Sequence, residues 1–147
     1  MIPKLLLISL LSFVVAACTS QAEPADLATQ LRDHLSQTEN SYENADTLWQ
    51  QLLDSDTAVS CALTITVPEP FQLTVAQAKQ HPESVAVRDH LNNAIATLND
   101  IKLLWDNECQ QESPTVSLTT MRLAVGLLGD AEADIRAANE AWVAWQS

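Results

Sequence analysis

The sequence predicts an all-α fold, an up-down-up-down helical bundle with three long helices and a broken, irregular second element. Three observations predict it. Three long stretches repeat their apolar residues at alternating spacings of three and four, the period of one helix face. Breaker-rich connections fall between them, at Asp54 to Asp56, at Pro82 and at Ser113-Pro114. Cys61 follows the first stripe and Cys109 ends the next, so in an up-down-up-down arrangement both reach the same pole. Agreement between such separate readings is what a specified fold produces.

The first helix has the stripe Leu31, Leu35, Thr38, Tyr42, Ala45, Trp49 and Leu52, ends near Asp54 to Asp56, and has Pro24 at its first turn. From Thr57 to His81 the pattern is least regular. A β-branched run, Leu63-Thr64-Ile65-Thr66-Val67, has strand propensity but no second strand in the chain to pair with. Pro68 and Pro70 end anything before them, and Thr74 to Gln80 forms a short helical candidate, so the segment reads as a broken helix. The next long helix enters through Pro82 and Glu83 and has the stripe Val87, Leu91, Ala94, Leu98, Ile101 and Trp105. The last is expected to start with Ser113 as N-cap and Pro114 at its first position. Its stripe is Leu118, Met121, Val125, Leu128, then Ala131, Ile135, Ala138, Trp142 and Trp145; the phase slips at Gly129, which predicts a kink there or a split with Asp130 as a second cap.

Arg32-Asp33-His34-Leu35 recurs as Arg88-Asp89-His90-Leu91, an offset of 56 that also carries Leu48 onto Leu104 and Trp49 onto Trp105. Duplication of a helical hairpin and chance matching in a helix-rich sequence both account for the echo.

Ahead of the bundle, Leu5 to Ala17 is a run of thirteen uncharged residues after Lys4, too short to span a bilayer as a helix and of signal-peptide length. Val15-Ala16-Ala17-Cys18 resembles the lipobox of bacterial lipoproteins, in which an aliphatic and two small residues precede a cysteine. The resemblance implies cleavage before Cys18 and acylation of its thiol and new amino group, with more than one chain for stable anchoring. Thr19 after the cysteine, in place of aspartate, implies sorting to the outer membrane, periplasmic face; an inner-membrane lipoprotein, or a soluble periplasmic protein released by an ordinary signal peptidase after Ala17, is the alternative. The domain organisation is then 1–17 signal peptide, 18–24 anchor and short linker, and 25–147 a single helical domain.

Assigning Cys18 to lipid leaves Cys61 and Cys109, an even pair expected to form a disulfide in an oxidising compartment. The part after the signal has 6 basic against 19 acidic side chains, a net charge of −13. Such a surface repels nucleic acid and anionic headgroups, so no nucleic-acid partner is expected and membrane attachment falls to the acyl chains.

His34 and His90 beside Asp33 and Asp89 invite a metal or haem proposal, but they flank their stripes, and parallel helices of such a bundle are diagonal partners. Solvent-exposed histidines beside a carboxylate are the plainer reading, and no metal or cofactor is expected. The chain has no HExxH, GxSxG or glycine-rich phosphate loop and only two glycines, and acidic pairs such as Asp54 with Asp56 read as solvated faces. No catalytic residue is assigned and an enzyme is not expected. Trp49 and Trp105 read as core. Trp142 and Trp145, at the frayed end of the chain, are a possible membrane or partner contact. The expectation is a lipid-anchored, periplasm-facing binding or adaptor lipoprotein with an envelope protein as partner. It is similar to the helical pilotins in size, address and helicity. The alternatives are an inhibitor or immunity lipoprotein against a periplasmic enzyme and a small metal- or cofactor-binding bundle.

Overall fold

The computed structural model describes residues 26–54, 61–110 and 116–147; Cys18, Pro24, Asp56 and Ser113-Pro114 lie outside the described residues. Within them the chain is an all-α helical bundle of three long helices, α1 (Leu27–Asp54), α3 (Ser84–Cys109) and α4 (Leu118–Gln146), with one short helix, α2 (Val75–Gln80).

Helix α1 starts on Asp26, whose Oδ1 accepts the Thr29 backbone N-H at 2.7 Å. That bond holds the Asp26 carboxyl below the ordinary carboxylate range, as expected for an acidic N-cap. The anticipated stripe is confirmed. Leu31, Leu35, Thr38, Ala45, Trp49 and Leu52 are buried, with Tyr42 half-buried beside them.

The segment after α1 is the expected broken, irregular element, its helix confined to α2. Cys61 to Leu73 has no helix apart from a turn at its start; it is an extended strap with Ile65 inserted in the core at 1% exposure. An extended chain with no sheet still has to satisfy its backbone groups. Here helix side chains replace the missing strand. Ser41 Oγ donates to the Thr66 carbonyl at 2.6 Å and Asn44 Nδ2 to the Thr64 carbonyl at 3.2 Å. On the other edge the Trp105 indole donates to the Leu63 carbonyl at 3.0 Å. Asn92 of α3 grips Phe71 twice, accepting from its N-H at 2.8 Å and donating to its carbonyl at 3.0 Å, as a neighbouring strand would. The short helix then starts where expected: Thr74 and Gln77 form a reciprocal capping box.

Helix α3 enters through the Pro82-Glu83 turn, and its expected stripe is buried from Val87 to Trp105, with Ser84 and Ile95 added. Helix α4 departs from expectation twice. Ser117 is its N-cap, accepting from Thr120 N-H at 3.0 Å, so the helix begins after Ser113-Pro114 rather than on it. It also continues as one helix through Gly129 and Asp130. Ala124 is buried and Val125 is 46% exposed. With Ala124 in place of Val125, the stripe Met121, Ala124, Leu128, Ala131, Ile135, Ala138, Trp142, Trp145 alternates three and four without a slip. Ala124, Ala131 and Ala138, seven residues apart and all at 0% exposure, let α4 pack closely on its neighbours.

Two core clusters fix the helix directions. One joins Trp49 and Leu52 of α1, Leu98 to Trp105 of α3 and Ala124 to Ala131 of α4, with Ile65 of the strap. The other joins Leu27 to Leu35, Val87 to Ile95 and Ala138, with Trp142 and Trp145 packed on it. Helices α1 and α3 are therefore parallel and α4 antiparallel to both, the order expected of the bundle. Because the strap is thinner than a helix, α1 and α3 also touch directly instead of facing across a diagonal: Trp49 and Trp105 meet edge-to-face at 5.6 Å. The echoed positions thus sit level with one another, Leu35 with Leu91 and Trp49 with Trp105.

Candidate functional site

The two poles of the bundle hold the residues singled out in the sequence. At one pole Cys61 and Cys109 are bonded, with Cα atoms 5.4 Å apart, within the usual range for a disulfide. The bridge ties the start of the strap to the end of α3. Cys61 is exposed and Cys109 half-buried.

At the opposite pole, the start of α1 meets the end of α4. Trp142 and Trp145 pack on the cluster containing Leu27 and Phe71, yet both remain partly exposed. Their rings meet edge-to-face at 5.3 Å, and Trp145 lies 5.9 Å from the His81 ring. His81 Nδ1 is in turn 4.0 Å from Glu83. The rings therefore close the core and also form part of the surface at the pole where α1 begins. An indole with an apolar body and a polar N-H suits a boundary between apolar and wet surroundings.

The other two histidines are not brought together. His34 Nε2 donates to the Glu69 carbonyl at 2.6 Å, and its ring meets Phe71 at 5.3 Å. His90 Nδ1 lies 3.5 Å from Asp134 of α4. Both are half-buried and face a different element, which corrects the reading of solvent-exposed rings beside their neighbouring carboxylates; Asp89 instead pairs with Arg88 at 2.6 Å. His34 ties α1 to the strap by its hydrogen bond, whereas His90 Nδ1 is buried with no hydrogen-bond partner among the described residues. Among the described residues no group of three or more His, Cys, Asp or Glu is placed to hold a metal ion, and no helix is long and apolar enough to cross a membrane.

Sequence reasoning missed a groove of about 330 Å³ between α1 and the strap, lined by Gln37, Asn40, Ser41, Asn44, Thr66 and Pro68. All six are uncharged, although the chain's formal net charge is −12. The signal was present in part: Ser41 and Asn44 are polar residues next to the α1 stripe, at heights where an unpaired extended segment could use them. Tyr42 nearby has its phenol pushed up, first by burial and then by the charges of Asp46 and Glu132. No family model, characterised protein or solved structure matches the chain.

Proposed function

We propose that the chain is a lipid-anchored binding or adaptor protein of the bacterial cell envelope, attached through Cys18, held at the periplasmic face of the outer membrane and acting by contact rather than by catalysis. The observation that supports it best is the cysteine arithmetic. The bond between Cys61 and Cys109 consumes two of the three cysteines and suits an oxidising compartment. It leaves Cys18 as the odd one, directly behind an apolar run of signal-peptide length and within Val15-Ala16-Ala17-Cys18.

Helix α1 begins at Leu27, so the linker from Thr19 to Asp26 keeps the pole bearing Trp142 and Trp145 within roughly 25–30 Å of an anchor at Cys18 even when fully extended. That pole is the secondary membrane or partner contact in this reading. The acidic remainder of the surface faces the periplasm and favours basic partners.

Labelled palmitate and membrane fractionation test the anchor. Wild type should incorporate the label and fractionate with membranes, and Cys18→Ser should yield an unlabelled, unprocessed precursor or a soluble domain. Equal mass and fractionation of the two proteins would refute the anchor. The pole is tested by tryptophan emission: acylated protein should shift to the blue on liposomes, and Trp142→Ala with Trp145→Ala should abolish the shift.

A further inference from the structure

An exposed flank of α4 carries a repeating row of which only Glu132 acts within the bundle, on Tyr42 of α1. Leu118, Arg122, Val125, Gly129, Glu132 and Arg136 follow one another at spacings of four, three, four, three and four, and all are exposed. Leu118 keeps 71% and Val125 46% of its surface in water. From Leu118 to Gly129 the helix carries a single charged residue, Arg122, so it is apolar outside as well as inside. Helices of that kind are normally covered on both sides. Arg122 and Glu132 flank Val125 and Gly129, and neither has an ion-pair partner among the described residues.

We propose that this face pairs with the same face of a second copy, antiparallel, about a two-fold axis level with Leu127. An interface between identical copies related by a two-fold axis must be complementary to itself, and this row meets that requirement in one register. Arg122 meets Glu132 of the second copy, Val125 meets Gly129, and Leu118 lies beneath the aliphatic stem of Arg136, each contact occurring twice. At Gly129 a Cβ would meet nothing within 4 Å in the bundle, so the room for Val125 of the second copy lies wholly on the surface. Parallel pairing is disfavoured because it sets Arg122 against Arg122 and Glu132 against Glu132.

The chain's formal net charge is −12 and copies repel over most of their surface, so the two Arg122–Glu132 pairs are what offset that repulsion in this register. The inference rests on α4 alone and does not depend on the anchor.

Sedimentation equilibrium of the full chain in density-matched detergent, with circular dichroism to confirm folding, tests it. Wild type should be a dimer. Arg122→Glu alone and Glu132→Arg alone should each weaken dimerisation at least about tenfold by creating like-charge contacts, and the two together should restore it. Gly129→Leu should give a folded monomer. A wild-type monomer at about 100 μM, where a dissociation constant of about 1 μM would leave most of the chain dimeric, would overturn the proposal. So would a dimer indifferent to the single charge swaps, or a double swap that fails to rescue.

Discussion

Trp49 and Trp105 occupy echoed positions and touch each other, but only one has its indole N-H satisfied. Trp105 Nε1 donates to the Leu63 carbonyl and so holds the strap. Trp49 Nε1 is buried with no hydrogen-bond partner among the described residues. Replacing either with phenylalanine removes ring volume and leaves a cavity. In Trp49→Phe that loss is offset by removal of an unsatisfied donor, whereas Trp105→Phe also strands a carbonyl. The expected outcome, read from urea denaturation, is that Trp105→Phe destabilises by about 1–2 kcal/mol more than Trp49→Phe. Equal losses would mean that the indole bond to Leu63 contributes nothing net.

At the scale of elements, α4 shows what its sequence revealed and what it hid. Its core-facing stripe from Leu128 to Trp145 was legible; its start and its continuity were not. The false break at Gly129 came from ranking Val125 above Ala124 as a core candidate, since valine is the larger apolar side chain. Close packing reversed the choice: the alanine fits where helices approach, and the valine is left outside. The strap was half legible in the same sense. Its β-branched run argued against helix, but its backbone partners are side chains of residues 20 to 42 positions away, which no local pattern encodes. On α4, Gly126 is exposed, its backbone is not left-handed, and a Cβ there would meet nothing within 4 Å. Gly126→Ala should therefore raise stability by about 0.5–1 kcal/mol through the unfolded chain's lost freedom. Thermal melting checks this; a lower midpoint would show that the added methyl meets something on that face.

For the whole molecule, the arrangement of α1, α3 and α4 and the closing bridge at one pole were readable because stripe phase and cysteine position constrain each other. The groove along the strap was not, because it exists only once the strap is extended. The disulfide spans a sequence separation of 48 and ties down the strap end nearest Ile65. On the chain-entropy account a loop of that length stabilises by about 4 kcal/mol. Cys61→Ala with Cys109→Ala should lower unfolding free energy by up to about that amount, measured by denaturant titration with the protein kept at neutral pH. A loss near zero would place the bridge's value in the unfolded state's residual structure, not in loop closure.

The strap also has a consequence in time. Ile65 is sealed in the core, while the N-H groups of Leu63 to Val67 donate to no described group. Side-chain burial and amide protection, which usually rise together, are separated in this one segment. In deuterated buffer the amides of α3 from Leu91 to Ile101, each held in a helix that opens only with the bundle, should persist to the slow limit set by global unfolding. The strap amides should exchange orders of magnitude faster, although they lie against the same core. A strap as slow to exchange as α3 would reveal a bonding partner along its edge, and the residues that slow on adding a candidate protein would locate where that partner lies.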